Sequence, residues 1–325
     1  MASAEQIKAL LRSHVAGDET HFFAVAMQLA ASEARKGHNR VAQEIRDIID
    51  EARSRGFLDA KRPVPIAQPR GELGDLLEAL YPKIRLSDMT LSSEVEVRLK
   101  RVIREQRNLQ RIQAHGLPAR RRLLLIGPPG CGKTMSAAAL AGELGLPLLT
   151  VRLDGLITKY MGETIAKLRL IFDALAVTRG VYLFDEFDSI GSDRGYDNDV
   201  GEIRRVLNSF LMFIEQDESN SLIIAATNHP QRLDSALFRR FDDLIRFELP
   251  DKKLLITALK NRLALYDFAS DITYECIADA AEGLNFNDIT RAADEALKDV
   301  IIADREALTT EDILTHVQER SSFLK

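Results

Sequence analysis

Leu123-Leu124-Leu125-Ile126-Gly127-Pro128-Pro129-Gly130-Cys131-Gly132-Lys133-Thr134-Met135 is the stretch on which the reading of this chain turns. An unbroken apolar run stops at Gly127. From Gly127 to Thr134 the residues fit G-x-x-x-x-G-K-[ST] at every fixed position. The Ala-rich segment from Met135 to Leu144 then reads as a helix. In such a strand–loop–helix unit the glycines let successive backbone N–H groups turn inward around an anion. The helix N-terminus adds partial positive charge. The anion this suits is the phosphate tail of a nucleotide. Lys133 is expected to reach the β- and γ-phosphates and Thr134 to ligate Mg2+. Gly127, Pro128, Pro129, Gly130, Cys131, Gly132 and Met135 complete the expected binding set for ATP.

A second apolar run, Val181-Tyr182-Leu183-Phe184, ends in Asp185-Glu186. Carboxylates at the end of a buried parallel strand fall at the sheet's carboxyl edge, beside the phosphate loop. Asp185 is expected to hold Mg2+ through its water shell, and Glu186 to polarise the attacking water as general base. Asp188 reads as a structural or surface carboxylate. Farther along, Ala225-Ala226-Thr227-Asn228 closes another apolar run. The amide of Asn228 can donate and accept at once.

The apolar runs Leu123–Ile126, Leu146–Leu153, Val181–Phe184, Leu222–Ala226 and Leu244–Leu249 alternate with helical patterns between residues 73 and 250. Most are continuous in Val, Ile and Leu, as for strands buried on both faces of a parallel sheet. The expected fold is α/β, a doubly wound parallel sheet. After Pro250 strand signals stop, and residues 251–325 read as a helical lid, whose last helix starts at Thr309-Thr310-Glu311-Asp312. Before the sheet, Pro63, Pro65, Pro69 and Gly71 mark an extended linker over 61–72. Residues 1–60 read as a small bundle of three helices. The stripe of its third helix is Val41, Ile45, Ile48, Ile49 and Ala52.

Composition narrows the classes. The 325 residues carry a formal net charge of -5, which argues against a nucleic-acid coat protein. The 2 cysteines, Cys131 and Cys276, allow no disulfide framework and suit a reducing compartment. No apolar run approaches the ~20 residues of a membrane span, and the opening residues lack a signal peptide's pattern. The expected location is cytoplasmic.

The phosphate loop and the Asp185-Glu186 pair together resemble Walker A and Walker B of AAA+ ATPases, specifically the AAA branch. That resemblance spans roughly residues 85–300. It implies ATP hydrolysis in a homo-oligomeric ring, a hexamer by family expectation. Asn228 matches the position of sensor 1, which helps to place the attacking water. Leu233 to Asp242 is similar to the arginine-finger segment. Arg239 and Arg240 are then expected to act on a neighbouring subunit's ATP, as in the meiotic clade of protein remodellers. A surface arginine pair bound to Asp242 or Asp243 is the plain alternative. The lid segment Gly283-Leu284-Asn285-Phe286-Asn287-Asp288 keeps the family's Gly and Asp but not its central residues. Asn287 there is either a nucleotide neighbour or a helix cap.

Lys159-Tyr160-Met161-Gly162 is similar to the loop that lines the family's central pore and grips extended polypeptide. A flat aromatic and a thioether can hold many side-chain types without demanding a sequence. Local core packing of Tyr160 is the plain alternative. Residues 194–200 form a second candidate loop. The leading expectation is an ATP-driven remodeller that threads polypeptide, with the N-terminal bundle recruiting substrate or partner. Two other readings stay open. One is a regulatory ATPase that switches a protease partner, since the chain has the size and short helical opening of ATPases paired with subtilisin-like proteases in bacteria. The other is a DNA-processing machine. Its basic stretch, Arg98 to Arg122, carries Leu99, Val102, Ile103 and Leu109 at helical spacing and reads as a solvated helix face.

Overall fold

The computed structural model describes residues 25–27, 29–30, 34, 38–54, 69, 71–156, 161–190, 200–233, 235–264, 266 and 272–322. It divides into two compact units, Met1–Pro65 and Ile66–Lys325. In the first, the helical residues Val25, Ala26 and Ala30 are buried, and the helix Asn39–Ser54 buries Ala42. Val41, expected on the inward stripe, is exposed, and Ile45 is half-buried. The first helix of the expected bundle, and most of the Pro-rich linker, lie outside the described residues.

The second unit is built on one sheet. Its strands are β1 (Leu77–Leu80), β2 (Arg122–Ile126), β3 (Leu148–Val151), β4 (Val181–Phe184), β5 (Leu222–Thr227) and β6 (Asp243–Arg246). They lie in the order β1-β3-β4-β5-β2-β6. Every pairing is parallel except β1 on β3. In the central register Leu124 faces Ala225 on one side and Leu244 on the other.

Side chains alternate across the pleat. Leu124, Ile126, Tyr182, Phe184, Ile223 and Ala225 enter one core, and Leu123, Leu125, Val181, Leu183, Ile224 and Ala226 the other. Helices α1 (Ser93–Arg107) and α2 (Lys133–Leu144) cover the second face. Helices α3 (Met161–Val177) and α4 (Val200–Gln216) cover the first. There Phe172, Phe184, Phe187 and Phe210 pack ring against ring. On α1 the buried Val95, Leu99, Val102 and Ile103 face the sheet and Arg98 pairs with Glu94 and Asp243, so the part of the basic stretch up to Arg107 is a helix face, while Arg122 opens β2.

The expected strand Leu146–Leu153 stops at Val151, because Leu153–Leu156 winds into a helical turn. The run expected to end at Leu249 is strand only over Asp243–Arg246. Strand β1 was absent from the sequence reading. It has no β-branched or aromatic residue to announce it and directly follows the helical turn Glu72–Leu76.

Beyond Pro250 come α5 (Lys252–Leu263), α6 (Tyr274–Ala280), α7 (Phe286–Ile302) and α8 (Thr310–Ser322). They enclose a third core of their own, with Leu259, Ile277, Ile289, Ala293 and Ile313 fully buried. The Asp251 side chain caps α5 by accepting from Leu254 N–H.

Candidate functional site

The loop between β2 and α2 leaves the sheet at its carboxyl edge. Gly127 has φ 155, and a Cβ there would lie 2.2 Å from the Phe247 carbonyl oxygen. Only glycine lets the chain turn against the strand beside it. The loop closes on Lys133, which is only 6% exposed. Its Nζ donates to Gly127 O, Pro128 O and Asn228 Oδ1, each at 2.7 Å. Burial pulls the Lys133 pKa below its ordinary value, while Cys131, Asp185 and Asp188 favour the charged form. Cys131 is buried in the same loop, and burial pushes its thiol pKa up. It therefore reads as a packing residue and not as a reactive thiolate.

Asp185 follows the last residue of β4. Its Oδ2 accepts from Thr134 Oγ1 at 2.6 Å and its Oδ1 from Glu186 N–H at 2.9 Å. Glu186 has φ 49, a left-handed conformation uncommon for a side chain of its size. Backbone of that kind is held at functional sites by the surrounding structure. Among the described residues no group of three or more His, Cys, Asp or Glu could hold a metal ion. The hydroxyl and carboxylate of Thr134 and Asp185 are two hard oxygen donors in contact. That is the donor set Mg2+ takes when phosphate and water supply the rest.

The lid meets the loop from the other side. Asn285 caps α7, its Oδ1 accepting from Asp288 N–H at 2.9 Å. A Cβ on Gly130 would lie 2.4 Å from that same Oδ1. Asn287 N–H donates to Gly130 O at 3.4 Å. Asn285, not Asn287, is thus the helix cap, and Asn287 faces the phosphate loop. Loop, strand ends and lid enclose a cleft of about 830 Å³ that Lys133, Thr134, Asp185, Glu186, Asn228 and Asn287 line.

Met89, Thr90, Asn261 and Arg262 also line the cleft and were missed in the sequence. Asn261 Nδ2 donates to Thr90 Oγ1 at 3.3 Å, linking the lid to the segment before α1. Arg262 grips Asp294 with two bonds of 2.6 and 2.9 Å. Asn261 and Arg262 are ordinary polar residues on α5, and Met89 and Thr90 lie in the segment before α1; no spacing marks any of them.

Arg239 and Arg240 lie elsewhere. Asp242 N–H donates to the Arg122 carbonyl at 2.8 Å, at the amino end of β2. The phosphate loop begins at the other end of that strand of 5 residues. At about 3.3 Å per residue the separation is about 15 Å. Arg240 forms an ion pair with Glu215 of α4, and Arg239 is exposed. Asp242 instead accepts from the Arg121 and Arg122 N–H groups, and Asp243 pairs with Arg98 and Arg120. Lys159 and Tyr160 lie outside the described residues, as does the second loop over 194–199. Met161 and Gly162 open α3.

A phosphate loop on a parallel sheet, acids at the next strand's end and a helical lid over the cleft define a P-loop nucleoside triphosphatase. Residues 123–249 match the family described as ATPase family associated with various cellular activities (AAA). An uncharacterized AAA family ATPase, y4kL of Sinorhizobium fredii, is 34% identical over 99% of this chain and 96% of its own length. The chain belongs to the AAA ATPase family and hydrolyses ATP. ATP-dependent zinc metalloprotease FtsH 4 of Sphaerobacter thermophilus is 32% identical over 67% of this chain, which spans only 34% of that protein. The crystal structure of the FIGL-1 AAA domain shares the fold, with TM-score 0.60 and 24% identity over 75% of this chain and 85% of that one. Among the described residues no helix is long and apolar enough to cross a membrane.

Proposed function

We propose that this ATPase is a ring-forming motor, a hexamer by family expectation, that remodels or threads polypeptide. The observation that carries the ring is the position of Arg239 and Arg240. They sit beyond the amino end of β2, about 15 Å along the strand from their own phosphate loop. They can serve hydrolysis only at the cleft of another copy. Arg240 is then the finger that neutralises charge on the transferring phosphoryl group.

Within one copy, Lys133 and the loop N–H groups bind the β- and γ-phosphates. Thr134 and Asp185 would hold Mg2+, which would supply positive charge against the phosphates. Glu186 takes the proton of the attacking water, and Asn228 orients that water. Met161 and Gly162 open α3; in this reading they and the preceding Lys159 and Tyr160 belong to the pore loop, and Tyr160 would grip an extended chain.

An ATP-dependent metalloprotease among the relatives supports a second reading, in which the ATPase serves a separate protease. A pull-down with Glu186→Gln in ATP separates the two, with Glu186→Gln/Tyr160→Ala as control. Polypeptide retained by the first variant and lost in the second supports threading. A protease bound equally by both supports the regulatory reading and removes the role of Tyr160.

A further inference from the structure

Asp188 is a buried carboxylate to which the chemistry above gives no task. It lies in the short helical turn Phe187–Ile190, just past Glu186, and is 7% exposed. Its Oδ1 accepts from Thr227 Oγ1 at 2.8 Å and from the Asn228 backbone N–H at 3.4 Å. Thr227 is fully buried, and its hydroxyl oxygen accepts in turn from His229 N–H at 3.0 Å. A single oxygen thus ties the turn after β4 to the residues on either side of the end of β5. Asn228 then places its own Oδ1 2.7 Å from Lys133 Nζ.

A buried carboxylate without partners is costly, so both bonds to Asp188 persist while the sheet end is folded. A carboxylate can only accept. Both donors therefore point at Asp188 Oδ1, and the Asn228 backbone cannot turn without giving up one of the carboxylate's two bonds. An amide at this position could flip and would offer a donor that neither Thr227 Oγ1–H nor Asn228 N–H can use.

We propose that Asp188 is a positioning residue for ATP hydrolysis: it fixes the Asn228 backbone, so that the Asn228 side chain stays on the Lys133 side of the cleft. This rests on the role given above to Asn228. Asp188 acts through Asn228 and touches no nucleotide itself.

The test is a double-mutant cycle on the full chain, with Asp188→Asn, Asn228→Ala and both together. Steady-state turnover and the Kd of a fluorescent ADP analogue are read for each. Asp188→Asn is expected to lose turnover about tenfold to a hundredfold, as for a misplaced reacting group, with ADP affinity retained. The double variant is expected to be no slower than Asn228→Ala alone, because the lost positioning has nothing left to act on. Losses that multiply in the double variant overturn the proposal, since they assign Asp188 a separate structural effect. Unchanged turnover in Asp188→Asn overturns it too. Unchanged turnover in Asn228→Ala alone overturns the role of Asn228, and Asp188 positioning with it. If Asp188→Asn does not fold, Thr227→Val and Thr227→Ser replace it. Serine keeps the hydroxyl and is expected to keep turnover that valine loses; equal turnover in the two overturns the proposal.

Discussion

Lys133 and Asn228 are joined by a hydrogen bond of 2.7 Å from Nζ to Oδ1, although one follows β2 and the other follows β5. The lysine is buried, and its other two acceptors are the phosphate-loop carbonyls of Gly127 and Pro128. A cation held this way is positioned before any phosphate arrives. Lys133→Ala is expected to weaken ATP binding by at least about a hundredfold, the scale of one or two charged hydrogen bonds. Equilibrium binding of a fluorescent ATP analogue measures it, and affinity within a few-fold of the unmodified chain contradicts the assignment.

Glu186→Gln is expected to bind ATP normally and turn it over about 10²–10⁴-fold more slowly. The glutamine keeps the shape at φ 49 but cannot take the water's proton. Single-turnover phosphate release is the measurement. A near-normal rate would place the base elsewhere.

Two glycines separate fold from function. Gly145 has φ +64 with nothing within 4 Å of an added Cβ, whereas at Gly130 that atom would meet Asn285 Oδ1 at 2.4 Å. Gly145→Ala should cost about 1–2 kcal/mol of stability, the left-handed penalty alone, and leave turnover intact. Gly130→Ala should also push the α7 cap off the phosphate loop and lose turnover. Thermal midpoints and steady-state rates on both variants check this, and intact turnover in Gly130→Ala contradicts the lid contact.

The lid has an acid-sensitive cap. Thr309 N–H donates to Asp312 Oδ2 at 2.9 Å and Asp312 N–H to Thr309 Oγ1 at 3.3 Å, a reciprocal capping box on α8. Burial alone would raise the Asp312 pKa, but the bonds from Arg305 and Thr309 outweigh it and hold the carboxyl below its ordinary value. A folded pKa below the unfolded value of about 3.9 gives stability that is full above that unfolded value. It is lost as pH falls through the folded one. The thermal midpoint should fall more steeply in acid for the unmodified chain than for Asp312→Asn, which should start lower at neutral pH. Parallel acid limbs would contradict this.

Much of this architecture is written in local chemistry. Gly127 to Thr134 must be glycine-rich and end in Lys-Thr to wrap phosphate. Strands buried on both faces must be apolar throughout, so β2, β4 and β5 stand out. Thr309 and Asp312 announce their helix because capping is local. Strand β1 stayed hidden because it gains its strand character from pairing with β3, as Leu77 with Val151. Asp188 read as structural or surface carboxylate because its partner Thr227 is distant in the chain. Asn261 and Arg262 were invisible for the same reason: the lid brings them to the cleft only after folding.

In the proposed ring each cleft is completed by the arginine of another copy. Arg240→Ala and Lys133→Ala should each be nearly inactive alone, since an arginine finger contributes about 10³–10⁵-fold. Mixed, they should regain hydrolysis, because an Arg240→Ala cleft can bind ATP and receive Arg240 from a Lys133→Ala neighbour. The measurement is ATPase activity across mixing ratios at fixed total protein, with a maximum expected at intermediate ratios. A flat baseline at every ratio, with mixed assembly verified, would contradict action between copies.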